Sequence, residues 1–242
     1  MSYSSSSKTD EIKKCGELYN CRPHQWLEKI GWIDKNVSFA HISRHNAEEL
    51  DIVARNGASV TQSPSCHMRL GYPIAPALEA RDRGIPVSIG VDGGASNDSG
   101  DMLGELRTML YVHRIDGGHP GYGPERWINA KEVFEMATVN GAKCLNRDDI
   151  GMLKEGMAAD LVLFSMIQPG YAGALTDPRG ALLYCGNNHL ADTTIVNGNV
   201  LIENGIFLAG DLNQIVEDAN RSTARILKLV KDKTGIDYRM EA

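Results

Sequence analysis

Several features typical of other protein classes are missing from this sequence. No stretch approaches the ~18 apolar residues that a membrane span needs, and residues 1–8 lack the apolar core of a secretory signal. Basic runs are also missing, and the net charge of −6 argues against a nucleic-acid or anionic-membrane partner. These absences leave a small neutral molecule as the predicted ligand.

The cysteines form no recognisable disulfide or zinc pattern. There are five, an odd number, and no two are spaced as Cys-x-x-Cys. Neither a disulfide framework nor a thiolate zinc site is therefore indicated. The sequence instead predicts a chain that is kept reduced in the cytoplasm.

From residue 37 onward, the sequence alternates between strand and helix patterns. Three short apolar runs are each followed by a segment with helical periodicity. The predicted strands are 37–42, 58–62 and 87–91, and the predicted helices are 46–55, 75–83 and 101–115. Asn46 is predicted to cap the first of these helices.

The last part of the chain has a different pattern. A helix is predicted over 129–145, followed by strands at 159–164 and within 193–207, where two Asn-Gly pairs predict hairpin turns. An amphipathic helix over about 212–231 is predicted to turn an apolar face inward. That face consists of Ile215, Val216, Ala219, Ile226, Leu227 and Val230.

These elements predict an α/β chain with too few strands to close an eight-stranded barrel. The expected fold is the C-terminal part of a (β/α)8 TIM barrel, about three βα units, with part of a small composite β-sandwich and a C-terminal helix. The predicted segments are a disordered tail (1–10), the barrel part (11–152), the sandwich part (153–210) and the helix with its tail (211–242). Because strand 37–42 would have an open edge, self-association or pairing with a missing N-terminal half is expected.

Asp92 ends the third apolar run and opens a glycine-rich loop. Barrel strands point their C-terminal ends at the active site, so a carboxylate at this junction is typical of a catalytic or metal-binding group. The same spacing is compatible with an Asx-turn, in which the aspartate only caps the bend between strand and loop. Spacing alone favours neither interpretation.

Six segments match, in order, the motifs of the amidohydrolase superfamily. They are His41 at a strand end, the loops 63–70 and 90–97, and the segments 137–142, 150–161 and 196–198. Over about residues 10–231 the chain resembles the cytosine deaminase-like and triazine hydrolase-like branch. Within that branch it most resembles 8-oxoguanine deaminases and hydroxytriazine or isoxanthopterin aminohydrolases.

The resemblance implies a metal-dependent hydrolase that deaminates a purine, pterin or triazine-type heterocycle. Asp92 would bind the divalent metal, Zn²⁺ or Fe²⁺, and shuttle a proton from the attacking water, and His41 would contact that water or the substrate. Zinc lowers the pKa of bound water to about 7, which provides hydroxide at neutral pH. The metal-bound hydroxide would attack a ring carbon, and the amine would leave after protonation.

Parts of the family pattern have no counterpart in this chain. The seven histidines include no i, i+2 pair to match the family's His-x-His, and no His-x-x-Glu precedes residue 10. His45 and Glu48 have the second spacing, but they stand at a helix start, and the match is interpreted as coincidental. Because zinc requires three or four ligands, the chain is predicted to be a fragment that is inactive alone. The alternative is a non-catalytic remnant or interaction module of the same fold.

Further candidates lie in the same loops. His67 is predicted to line the substrate pocket, although a loop histidine is commonly only solvated. Arg69 is predicted to hydrogen-bond a substrate carbonyl, the alternative being a surface ion pair. Asn97 is predicted to contact the substrate or to orient Asp92. Cys66 lacks the His–Asp partner pattern of a nucleophile, and a chlorohydrolase specificity in place of deamination stays open.

Overall fold

Two units make up the chain. The computed structural model describes residues 2–5, 8–115, 123–185 and 190–238. The first unit comprises Met1–Ala158 and Met166–His189, and the second comprises Ala159–Ser165 and Leu190–Ala242. The predicted boundaries after residues 152 and 210 differ from this division, because 166–189 belongs to the barrel part and the terminal helix belongs with the small sheet.

A parallel sheet lies at the centre of the first unit. Its strands are Ser2–Ser5 (β1), Ser38–His41 (β2), Ser59–Gln62 (β3) and Val87–Ile89 (β4). They follow the order β1-β2-β3-β4, and each strand is parallel to the next. The predicted alternation of strand and helix is confirmed, and the carboxyl ends of the four strands lie at one edge of the sheet.

Helices connect these strands and cover the sheet. Within the described residues of this unit they are Thr9–Tyr19 (α1), Pro23–Lys29 (α2), Ala47–Arg55 (α3), Pro64–Leu70 (α4), Ala77–Asp82 (α5), Met102–Val112 (α6), Ala130–Ala137 (α7), Val139–Cys144 (α8) and Pro178–Tyr184 (α9). The strand residue Phe39 and the helix residues Leu50, Leu78 and Met109 are completely or almost completely buried. Their burial is the main source of stability in this unit.

The first βα unit shows how the sequence sets a helix boundary. Asn46 precedes α3, and its side chain accepts a hydrogen bond from the backbone N–H of Glu49 at 2.9 Å. The Glu49 carboxylate accepts from the backbone N–H of Asn46 at 3.2 Å, which completes a capping box. The predicted cap is therefore confirmed.

The first unit differs from the sequence prediction in three places. Residues 2–5, predicted as disordered tail, pair with β2 through the backbone, a contact that requires no particular side chains. β2 therefore lacks the open edge predicted for it. The segment after β3, predicted as a turn, forms α4, whose start Pro64 favours. The helix predicted over 129–145 divides at Thr138, whose hydroxyl donates to the carbonyl of Phe134.

An antiparallel sheet and a long helix form the second unit. The strands are Leu161–Leu163 (β5), Thr193–Val196 (β6), Asn199–Glu203 (β7) and Ile206–Phe207 (β8), in the order β5-β6-β7-β8. The hairpin turns predicted at Asn197 and Asn204 are confirmed, and both asparagines have positive φ, at 49° and 51°. Such turns favour Asn-Gly.

The long helix of the second unit, Leu212–Thr234 (α10), has no buried residue. The prediction of an inward apolar face is wrong for this structure, since Ile215 and Ile226 each expose more than half of their surface. The periodicity predicted the helix correctly, but no described part of the chain covers that face. Across the described residues, no helix combines the length and apolar character needed to cross a membrane.

Candidate metal centre

The carboxyl ends of β2, β3 and β4 carry the residues of the candidate site. His41 is the last residue of β2, and Asp92 lies three residues after β4. Cys66 and His67 lie on α4, which begins two residues after β3. Since parallel strands in α/β folds gather their functional groups at this edge, three separate segments meet there.

His41, Cys66 and Asp92 form a compact group of potential metal ligands. One ligand atom from each lies within 4.8 Å of the other two. His41 Nε2 is 3.8 Å from Asp92 Oδ2. Nitrogen, sulfur and carboxylate oxygen are the usual zinc ligands, with bonds of about 2.0–2.3 Å. The donor set therefore fits a divalent cation after small movements of the side chains.

The backbone at this site is strained. His41, Ile42 and Asp92 have positive φ angles of 71°, 41° and 65°. The other described non-glycine residues with positive φ are asparagines, which adopt this conformation readily. A β-branched residue such as Ile42 adopts it only when the surrounding fold enforces it, at a cost of about 1–3 kcal/mol. Strain concentrated beside potential ligands is typical of a functional site.

A histidine pair orients the His41 ring. His41 Nδ1 and His67 Nε2 are 2.9 Å apart, and the buried His67 lies beneath the site. Burial lowers the pKa of His67 to about 4 and also lowers the pKa of His41, so both rings are neutral at pH 7. If His41 donates its Nδ1 proton to His67, its Nε2 lone pair is directed toward Asp92. That tautomer is the one a metal ligand requires.

The Asp92 carboxylate is held ionised by its neighbours. A hydrogen bond from Cys66, followed by one from Ser96, lowers the pKa of Asp92. The Ser96 hydroxyl donates to Asp92 Oδ2 at 2.9 Å. Burial raises the pKa of the Cys66 thiol to about 11, so the thiol is neutral and donates to the carboxylate. A neutral thiol is a poor nucleophile, which agrees with the sequence interpretation of Cys66.

Glu105, a residue not singled out by the sequence analysis, joins the two loops of the site. Its buried carboxylate accepts from the backbone N–H of Ser65 at 3.0 Å and from Asn97 Nδ2 at 3.2 Å. Asn97 therefore donates to Glu105, whereas the side-chain donors to Asp92 are Cys66 and Ser96. The only sequence signal for Glu105 is a carboxylate placed beside the apolar stripe of α6.

Two other candidates lie outside the ligand group. Arg69, at the end of α4, forms an exposed ion pair with Asp98, which matches the surface alternative considered for it. His45 Nδ1 lies 3.1 Å from the carbonyl oxygen of Ile42, and Glu48 is exposed. The structure thus brings together His41, His67 and Asp92. His45 and Glu48, which have the His-x-x-Glu spacing, lie outside this group.

Comparison with known proteins identifies the family. The sequence profile of the amidohydrolase family matches residues 2–201. The chain belongs to the amidohydrolase family. The superfamily assigned from the six motifs is confirmed, as is the α/β fold matched to part of an amidohydrolase barrel.

Relatives of this amidohydrolase chain include deaminases and a triazine hydrolase. It is 35% identical to 8-oxoguanine deaminase from Pseudomonas aeruginosa, over 86% of the chain and 44% of that protein. It is 32% identical to 5-methylthioadenosine/S-adenosylhomocysteine deaminase from Desulfitobacterium hafniense, over 88% of the chain and 48% of that protein. The chain thus spans about half the length of the curated relatives that it matches.

A solved structure supports the same assignment. The zinc complex of atrazine chlorohydrolase from Arthrobacter aurescens TC1 superimposes with a TM-score of 0.85 and 34% identity. The match covers 91% of this amidohydrolase chain and 48% of that one. A metal cofactor is therefore a property of the family.

Proposed function

We propose that this chain contributes His41 and Asp92 to the site of a zinc-dependent hydrolase acting on a carbon–nitrogen bond that is not a peptide bond. The convergence of His41, His67 and Asp92 at one edge of the sheet, with strained backbone at His41 and Asp92, carries this proposal. Iron(II) is the alternative cation. A non-catalytic module of the same fold is the alternative function.

The proposed chemistry uses the charge states of these side chains. A divalent cation, when bound, would supply Lewis-acid activation of water at neutral pH. Asp92, ionised and partly exposed, is the proposed acceptor of a proton from that water. Neutral His41, held by His67, is the proposed hydrogen-bonding group for the reacting atoms. His67, Arg69 and Asn97 are proposed substrate contacts, of which His67 lies nearest to this chemistry.

The proposed substrate is a small nitrogen heterocycle of the purine, pterin or triazine type. The names of the relatives support this class, since they include deaminases of 8-oxoguanine and of adenosine derivatives. The chlorohydrolase relative makes halide release a second outcome to measure. We also propose a cytoplasmic location, which the five free cysteines support.

The test measures ammonia and chloride release from 8-oxoguanine, 5-methylthioadenosine, an aminotriazine and atrazine. The chain is assayed alone with zinc, and after co-expression with the N-terminal half of the Pseudomonas aeruginosa deaminase. We expect activity in the second preparation, reduced at least about 100-fold by Asp92→Asn, because a positioned proton acceptor contributes that much.

Asp51→Asn is the matched control, since Asp51 is an exposed carboxylate on α3 paired with Arg83. It should change the rate by no more than about twofold. Activity that survives Asp92→Asn contradicts the proposed role of Asp92. A folded preparation with neither zinc nor turnover supports the non-catalytic module.

A further inference from the structure

Cys66 faces the site from the first turns of α4. Its side chain is only 2% exposed, and its sulfur lies within 4.8 Å of a ligand nitrogen of His41 and a carboxylate oxygen of Asp92. The thiol donates a hydrogen bond to Asp92. A group in this position faces any cation that His41 and Asp92 bind together.

We propose that Cys66 is a thiolate ligand, so that His41, Cys66 and Asp92 hold a thiophilic divalent cation such as zinc or cadmium. This inference rests on the metal centre of the proposed function and is independent of its substrate. It assigns to this chain a three-ligand set that contains sulfur, in which His41 Nε2 binds the cation in place of the hydrogen bond to the reacting atoms proposed above.

The geometry supports coordination by all three groups. Tetrahedral zinc with bonds of about 2.0–2.3 Å places its ligand atoms about 3.3–3.8 Å apart. The His41–Asp92 separation of 3.8 Å already falls at that limit, and the other separations need to close by at most about 1 Å. The hydrogen bond of His67 to His41 Nδ1 fixes the ring, as outer partners of metal-bound histidines commonly do.

Coordination changes the bonding of the thiol in a defined way. The sulfur–hydrogen bond breaks, a sulfur–metal bond forms, and the proton leaves to solvent past the partly exposed Asp92. No oxidant or reductant is involved. A soft thiolate ligand favours zinc and cadmium over magnesium and calcium, which prefer oxygen ligands.

Cobalt(II) titration of the purified, reduced chain tests the assignment. Wild-type protein should show a thiolate-to-cobalt charge-transfer band in the near ultraviolet. Cys66→Ser, which keeps a hydroxyl donor to Asp92, should lose the band and bind cobalt at least about 100-fold more weakly, since outer partners alone contribute 10–100-fold. Cys144→Ser is the matched control, because this free thiol lies outside the ligand group, and it should keep both the band and the affinity.

X-ray absorption spectroscopy of the zinc-loaded wild type identifies the atoms bound to zinc without the use of a variant. A sulfur neighbour at about 2.3 Å supports the assignment. Zinc bound by nitrogen and oxygen alone, with equal cobalt affinity in Cys66→Ser, overturns the role of Cys66 and leaves the proposed metal centre intact. Failure of the folded wild type to bind zinc or cobalt overturns the three-ligand set, whereas the proposed function is tested separately in the preparation that contains the N-terminal half.

Discussion

In the first unit Phe39, Leu50 and Met109 are at most 1% exposed, whereas in the second unit Val200, Ile215 and Ile226 expose 43–54% of their surfaces. Both units have regular apolar periodicity, and in both the secondary structure follows it. The difference is that the helices and sheet of the first unit bury one another's apolar faces. Periodicity thus identifies the face of an element that favours burial, while the rest of the fold determines whether that face is covered.

The polar side chains of the two units differ in the same way. Buried polar groups of the first unit, such as His67 and Glu105, have well-defined partners and shifted pKa values. In the second unit the described acidic and basic side chains are exposed or half-buried. Burial and hydrogen bonds from neighbouring side chains both shift pKa values, and the packed unit supplies both at the candidate site.

The strongest test of the comparison truncates one apolar residue in each unit. Phe39→Ala should lower the free energy of unfolding by about 3–5 kcal/mol, because it leaves a cavity at a fully buried position. Val200→Ala, at a half-exposed position, should lower it by less than about 1 kcal/mol. Urea unfolding followed by tryptophan fluorescence and circular dichroism measures both. Equal losses would show that the two units are equally packed.

Removing one helix cap in each unit gives a smaller effect. Asn46→Ala removes the side-chain cap of α3 and should lower the stability of the first unit by about 1 kcal/mol. Asp211→Ala removes the corresponding bond to Gln214 in α10. That change should increase hydrogen exchange at the start of α10 and leave the unfolding midpoint of the first unit unchanged. A shift of that midpoint would contradict the expectation that this cap stabilises α10 alone.

The pH dependence of stability sharpens the comparison further. Burial raises the pKa of Glu105 above its unfolded value of about 4.5. The stabilisation that the protonated carboxyl contributes is therefore present below the unfolded pKa and is lost as pH rises through the folded pKa. Glu105→Gln removes this titration, and the variant should gain stability relative to wild type as pH rises from 4 to 7. Glu203→Gln, on the exposed β7, is the control and should leave the slope unchanged. If the free energy of unfolding changes with pH in parallel for wild type and Glu105→Gln, the raised pKa of Glu105 is refuted.

The smallest effect on stability is expected on the apolar face of α10. We expect this exposed apolar face to be a contact between copies of the chain, so Ile215→Glu combined with Ile226→Glu should reduce self-association and should change the free energy of unfolding by no more than about 0.5 kcal/mol. Lys228→Glu, on the opposite face, changes the net charge by the same two units and is the control. Sedimentation velocity measures the outcome. Equal association of both variants would exclude this face as the contact.

Local sequence signals predicted much of the fold. The cap at Asn46, the Asn-Gly hairpins and the strand leading to Asp92 are all determined by neighbouring residues, and all are confirmed. The pairing of β1 was missed because it uses backbone groups that any sequence provides. The exposure of α10 was missed because periodicity does not identify a partner.

The site was predictable only in part for a related reason. The strand ends pointed to His41 and Asp92, and the structure brings them together with His67, while their chemical roles stay predictions. Cys66 and Glu105 enter the site through contacts between segments 25 to 40 residues apart, such as the hydrogen bond that the Ser65 backbone N–H donates to Glu105. No spacing rule within one segment reveals such contacts.

The left-handed backbone at Asp92 also determines which sequence changes the site tolerates. Glutamate would preserve the charge, but it lacks the short side chain that lets aspartate and asparagine adopt this conformation. Asparagine preserves the conformation and removes the charge. By charge alone Asp92→Glu is the conservative change, whereas for folding Asn is the better tolerated residue. Related proteins that have lost this chemistry and kept the fold are therefore expected to have asparagine in place of Asp92.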